Sequence, residues 1–558
     1  MTTTVLAAPE AGREAGRTDP RRTERRHVPG PGRRSGWFGQ LLLRLHFYAG
    51  ILVGPFILVA ALSGALYALT PAIEQVVYRH ELHVPTTDTS VSDGQLTLAE
   101  QTAIAQAYLG DGATPSAVRP APGPGDTTRI MFTGEGLGDS ESRAVFVDPS
   151  TGEVRGDLTV YGTSGALPLR NWVSNLHGDL HLGDVGRVYS ELAASWLAVV
   201  ALAGLGLWAH RFRTSRARRD FVRPARGRSG YRRVFTWHAS VGIWVLLGAV
   251  FLSATGISWS LYAGDRVGDL RAALDWETPA VDPVLPAGAG AGAGAGSPDA
   301  GADGGTGDAA SPDAGGHAHH RTDAASGATP GAASEATPGA TAADATADPA
   351  AWGERLDAVL ATAQGVNVNT GLVEIRPPAE PGTAWVVQEV QRSYPSEVDA
   401  VAIDGDTLRV TDRTDFADFP LAAKLTRWGI DAHMGSLFGL ANQIALFGLA
   451  CGIAAMVVLG YLMWWRRRPT REPRPLAGRP PRRGALRRAP WWGTAAVVAV
   501  AVLVGWWLPL VGYPLAGFVV LDALVGARSG RRGAEVGAAR PSVAAARRAA
   551  VVRRPGGR

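Results

Sequence analysis

The chain has 558 residues and a mass of 58.4 kDa, room for roughly three or four ordinary domains. Only 19% of residues are charged and mean hydropathy is +0.02, against about 25% charged in soluble chains, so an ordinary soluble enzyme is disfavoured. Trp (17) outnumbers Phe (14), as expected of a chain with membrane interfaces. The single cysteine, Cys451, excludes an intramolecular disulfide and an all-cysteine zinc or iron–sulfur site within one chain. Lysine occurs once, at Lys424, and the abundance of Arg beside Ala, Gly and Pro fits a GC-rich coding bias. The net charge of +5 is therefore no nucleic-acid signal.

In chain order, residues 1–36 read as a disordered basic tail, and 37–69 as a first membrane span, a signal anchor rather than a cleaved leader. Arg44, near the start of that span, is expected to snorkel to the interface. A small α+β domain over 70–190 has a helical rhythm at 96–109, strand-like runs at 129–132 and 143–147, and the turn Asp148-Pro-Ser-Thr-Gly152. Residues 191–210 are a second span, and 211–233 a loop with ten arginines and one acid. A third span, 234–262, precedes a low-complexity linker over 263–350, whose 287–350 portion is too poor in large apolar residues to bury a core. A second α+β domain, 351–432, has a helix candidate at 352–363, strand-like runs at 370–375, 383–390 and 399–403, and the turn Asp404-Gly-Asp406. The fourth span is 433–465, the next basic loop 466–489, and 490–526 holds a fifth span with a short sixth or re-entrant hairpin. Residues 527–558 are again basic. Each of the first four apolar stretches reaches the roughly 18–20 residues that a bilayer needs.

The arginine blocks at the N-terminal tail, at 211–233 and at 466–489 orient the chain by the positive-inside rule. Both termini are expected in the cytoplasm and both α+β domains outside, in a multi-pass protein of the cell membrane. The sequence also repeats itself. His46…Gly50…Ser63-Gly64 in the first span matches His238…Gly242…Thr255-Gly256 in the third. His177-Gly-Asp-Leu-His-Leu-Gly183, entering the second span, matches His433-Met-Gly-Ser-Leu-Phe-Gly439, entering the fourth. The fold class expected is thus an α-helical integral membrane protein built from a duplicated span–domain–span unit: a four-helix core, one or two C-terminal spans, and two small α+β domains outside. Such an arrangement is a parallel repeat.

Ionisable side chains at membrane depth face a bundle interior or a cofactor, and imidazole is a common axial ligand of haem iron. One histidine near each membrane face in each copy makes two candidate bis-histidine sites, His46 with His238 and His177 with His433. His181, four residues after His177, is an alternative outer ligand, or with His177 a zinc or copper pair if helical. Gly50 and Gly242, and Gly183, Gly435 and Gly439 near the outer histidines, are expected to leave room for a flat macrocycle. The His317-Ala-His319-His320 tract falls in the linker and reads as incidental, and His80 and His83 have no counterpart in the second copy. No P-loop, nucleophile elbow, HExxH helix or strand-linked GxGxxG occurs.

These motifs, with the run from Leu176 through His177 and Tyr189 to Trp196, resemble the PepSY-associated transmembrane family, also called iron-regulated membrane proteins, and most closely its actinobacterial branch. The Asp148-Pro-Ser-Thr-Gly-Glu-Val154 turn resembles that of PepSY domains. Some members are haem-bearing reductases of ferric siderophores. The resemblance implies two b-type haems ligated through His46, His238, His177 and His433, with the role of His181 open because Leu437 stands at its place in the second copy. It further implies a ferric siderophore or other iron chelate and a cytoplasmic or quinol electron donor as partners, in addition to membrane lipid. Two other readings remain: a non-redox PepSY membrane protein that binds or regulates an envelope partner such as a peptidase, and a metal-handling transporter or sensor. The duplicated intramembrane histidines separate the first reading from the second.

The charge pattern predicts that reporter fusions at Gly136 and at Asp404 both behave as exported. Cytoplasmic behaviour at either position overturns the two-copy topology.

Overall fold

The computed structural model describes residues 36–85, 95–110, 113–138, 140–225, 227, 229–286, 349–467, 481 and 484–521. The basic tails, most of the loop at 466–489, and the linker over 287–348 with its histidine tract lie outside the described residues. In the first half the helices are α1 (Trp37–Leu52), α2 (Gly54–Val77), α3 (Arg79–Leu82) and α4 (Leu98–Leu109). Strands β1 (Pro115–Arg119), β2 (Thr128–Phe132), β3 (Glu141–Val147) and β4 (Val154–Tyr161) follow, then α5 (Pro168–Gly178) and α6 (Asp184–Thr214). The second half has α7 (Gly230–Ile257), α8 (Leu261–Ala273), α9 (Pro349–Gly365), β5 (Val373–Arg376), β6 (Trp385–Glu389), β7 (Ala400–Ile403) and β8 (Val410–Thr414). It ends with α10 (Leu421–Met434), α11 (Gly439–Arg466), α12 (Trp491–Trp507) and α13 (Pro509–Leu521).

Helices α2, α6, α7 and α11 are long and apolar enough to cross a membrane. They close a ring in which α2 packs on α6 and α11, and α7 on α6 and α11. The first apolar stretch, expected as one span, is broken at Val53 because Pro55 has no N–H for the Ile51 carbonyl. The hydroxyl of Tyr461 on α11 donates to that carbonyl instead, at 2.6 Å. Pro71 likewise strands the Tyr67 carbonyl, which Thr70 Oγ1 takes up at 2.7 Å. Arg44 does not snorkel out. It is buried, with its guanidinium over the rings of Tyr48 and Phe518, the latter on α13.

The two α+β segments, expected as separate small domains, join in one antiparallel sheet ordered β4-β3-β2-β1-β5-β6-β7-β8. The junction is β1 against β5, with Val118 opposite Ile375. Alternation sends Val118, Ile130, Ile375, Trp385 and Val387 to one face, under α4 and α9, in a single core that spans both halves. Asp357 of α9 caps α4, accepting from the Leu98 and Ala99 N–H groups at 3.0 and 3.3 Å. The opposite face, toward the apolar helices, carries Ala117, Met131 and Phe146, and with them Arg119, Arg129 and Glu374. Arg119 Nε donates to Glu374 at 2.7 Å across the junction, and both side chains are at least 95% buried. Part of the segment assigned to the linker is ordered. Residues 263–286 form most of α8 and an extended stretch whose Val284 pairs with Thr383, because Glu191 on α6 accepts the Tyr262 N–H at 2.8 Å and caps α8.

Burial alone would raise the Glu374 carboxyl, but Arg119 and Arg376 hold it below the usual carboxylate range. Glu374→Gln leaves Arg119 buried without its counter-charge and is expected to destabilise by about 3–5 kcal/mol, read as a lower Tm of the detergent-solubilised protein. The folded-state value is depressed, so this stabilisation is present above about pH 4.3, the unfolded glutamate value, and is lost as pH falls through the folded one. The acid limb of stability against pH should therefore be flatter in the variant.

Candidate functional site

Two cavities lie end to end in the helical ring. One, near the sheet, is lined by His177 and His433. The other, away from it, is lined by His46 and His238. They measure about 230 and 270 Å³, many times the roughly 30 Å³ share of a single water. Ile57, Leu197 and Ile453 line both, so one layer of aliphatic side chains separates them.

Each histidine is held in a similar setting. Ser63 donates its own hydroxyl proton to the Val59 carbonyl at 2.9 Å, so its oxygen accepts from His177 Nδ1–H at 3.0 Å. Thr255 donates to the Phe251 carbonyl at 2.8 Å and accepts from His433 Nδ1–H at 2.5 Å. His46 Nδ1–H donates to the Val200 carbonyl at 2.9 Å. At His238 the matching carbonyl is that of Met456, and Nδ1 makes no bond of normal geometry. With Nδ1 protonated, Nε2 keeps a free lone pair in three of the four rings, the arrangement that orients metal-ligating histidines. The His46 and His238 ring centroids are 6.1 Å apart, and His433 packs edge-on against Trp259 at 5.2 Å.

A glycine stands beside each ring. A Cβ at Gly64 or at Gly204 would lie 3.0 Å from Cε1 of His177 or of His46, and one at Gly256 or at Gly460 would lie 4.0 Å from Cε1 of His433 or of His238. Of the glycines expected to leave room, Gly50 and Gly242 line the far cavity, whereas Gly183, Gly435 and Gly439 line neither. Gly64 and Gly256 were visible in the repeat. Gly204 and Gly460 were missed, although each follows its entry histidine, His177 or His433, by the same number of residues.

His181 is not with the other four. It is exposed, has φ +56°, and stacks on Trp172 at 5.0 Å, so it makes no pair with His177. The chain turns there because the Asp179 carbonyl approaches α6 so closely that a Cβ at Gly186 would lie 1.5 Å from it. Among the described residues, no three His, Cys, Asp or Glu side chains gather as a metal site. Sequence reasoning also missed the arginines at the cavity near the sheet, Arg170 and Arg187 on the consecutive helices α5 and α6 and Arg392 from the other half of the chain.

Helices able to span a bilayer, closed in a ring with a folded sheet at one end, define an integral membrane protein. The family model for the PepSY-associated TM region matches residues 43–467, and the chain belongs to that family. No curated protein matches the chain.

Ser63→Ala and Thr255→Val each remove the acceptor of a buried Nδ1–H. A loss of about 1–3 kcal/mol is expected for each, measured as lower thermal stability in detergent, whereas Ser63→Thr should retain the wild-type value.

Proposed function

We propose that this protein is a membrane electron carrier with two b-type haems, one per cavity. It would pass electrons from a cytoplasmic or quinol donor to an extracytoplasmic ferric chelate of the siderophore type. The observation that carries this reading is four histidines, each with a glycine beside its ring, paired in two adjoining cavities. At the far cavity the residues present fit the group: two imidazoles on opposite sides of one metal ion, with metal–nitrogen bonds of about 2 Å, would have centroids roughly 6 Å apart, and His46 and His238 lie at 6.1 Å.

His46 and His238 would hold one haem and His177 and His433 the other, His181 taking no part. When bound, such a group supplies one-electron chemistry, and two imidazole ligands favour electron transfer over oxygen binding. Ser63, Thr255 and Val200 fix the ring tautomers, and Gly64, Gly204, Gly256 and Gly460 keep the ring faces clear. Ile57, Leu197 and Ile453 keep water from between the cavities while holding them close.

The matching contacts, Ser63 to His177 and Thr255 to His433, support reading the chain as two copies of one unit. The arginine blocks support a sheet outside the membrane. Helix α12 starts with Gly493 against Trp37 and nears its end with Trp506 under Arg266, and α13 brings Phe518 back to Tyr48. That course supports a fifth span and a short returning sixth, with both termini cytoplasmic.

The visible spectrum of the purified protein tests the reading, reduced b-type bands being expected. A colourless protein would favour a non-redox role in binding an envelope partner. His46→Ala or His238→Ala should remove roughly one haem of two, and His433→Ala the other, if each haem needs both axial ligands. His181→Ala should keep both. Retention of both haems in the His46 and His433 variants sinks the assignment.

A further inference from the structure

The cavity near the sheet is lined not only by imidazoles but by three guanidiniums, and the haem ligands give no reason for them. Arg170 comes from α5, Arg187 from the first turn of α6, and Arg392 from the segment after β6. The Arg170 side chain is 90% buried and interacts with Tyr67 and Glu74, while its Nε and Nη2 make no hydrogen bond of normal geometry. Its Nη1 forms a long ion pair with Glu74 Oε2 at 3.9 Å, beyond hydrogen-bond reach, while Oε1 of that carboxylate accepts the Leu167 N–H at 2.9 Å. Arg392 donates to Thr163 Oγ1 at 3.1 Å and lies a long 3.5 Å from Asp431, while its Nε is buried and unpartnered. Arg427 takes the other oxygen of Asp431 at 2.9 Å. The Nε of Arg187 is also buried without a partner. Burial and the like charge of Arg427 push the Arg392 guanidinium down to about 10, with Asp431 opposing them. Buried guanidinium N–H groups left unpaired are costly, and the fork geometry of arginine matches carboxylates.

We propose that Arg170 and Arg392, with Arg187 beside them, form a binding site for the carboxylates of a ligand seated in the cavity near the sheet. Two sources share that chemistry: the propionates of a haem between His177 and His433, and a carboxylate-bearing ferric chelate entering from the sheet side. The first source rests on the di-haem reading, and the second does not. Either ligand brings carboxylates to the guanidiniums that line the cavity. Positive charge held there would also favour the reduced form of a nearby iron centre, because reduction removes one unit of positive charge.

The test compares the full-length protein in detergent with the double variant R170Q/R392Q, and with R170K/R392K as a folding control that keeps the charge. If propionates are bound, R170Q/R392Q should lose the haem held by His177 and His433 at least tenfold faster to a haem-scavenging protein. Its midpoint potential should shift downward, with the His46–His238 haem unaffected. If an external chelate is bound, both haems should stay and half-saturation by ferric citrate should rise at least tenfold, with R170K/R392K near wild type. A colourless wild-type protein would end the di-haem reading alone. Equilibrium binding of labelled citrate, weakened tenfold in R170Q/R392Q, would then still support the carboxylate site. Unchanged haem loss, potential and citrate dependence in a folded R170Q/R392Q overturn the proposal, as does absence of citrate binding to a colourless wild type.

Discussion

Inside a ring of apolar helices no water is at hand to satisfy a backbone carbonyl or an imidazole, so each polar group must find its partner on a neighbouring turn or helix. That requirement explains much of the bundle. Two prolines in the first apolar stretch each leave a carbonyl without its donor, and a hydroxyl replaces the donor in both cases, Tyr461 across the ring and Thr70 from the adjacent position. The histidines obey the same rule. Ser63, Thr255 and the Val200 carbonyl anchor one nitrogen of three of the rings, so each imidazole can remain neutral in an apolar setting with its second nitrogen unspent. Stability and ligand readiness thus come from the same hydrogen bonds.

The sheet imposes a second constraint. Because β1 and β5 pair, the two halves of the chain share one hydrophobic core. The Arg119–Glu374 pair and the Asp357 cap reinforce that join from opposite faces. The sheet also places Thr163 and Arg392 over the cavity that holds His177 and His433. The polar side of that cavity is therefore built by the sheet domain with α5 and the first turns of α6, and its apolar side by the bundle. Among the described residues, none from the sheet lines the far cavity. Exposed Arg211 and Arg467 stand at its lining, each just beyond the apolar part of its helix.

Much of this was legible in the sequence. Spans are set by runs of apolar residues, and hydropathy is a local property, so α6, α7 and α11 fall close to where composition placed them, whereas the first stretch divides into α1 and α2 at Val53 and α2 runs on to Val77. Strands β2, β3, β6 and β7 and helices α4 and α9 announced themselves by alternation and by helical rhythm. The edge strands β4 and β8 did not, because their half-exposed faces carry few apolar residues to mark a period. The four cavity histidines were found because the repeat gave two independent sightings of each pattern.

The sequence by itself determined which segments are apolar, where the arginines gather and which histidines recur at matched positions, since each follows from residue order alone. Only the tertiary structure decided that two small domains make one sheet, that His177 rather than His181 enters a cavity, and that Arg44 is buried. It also brought Arg170, Arg187 and Arg392 to one place. These outcomes turn on contacts between segments far apart in the chain, and on turns such as that at Asp179, where a close backbone approach that no periodicity records sends one histidine inward and the next outward.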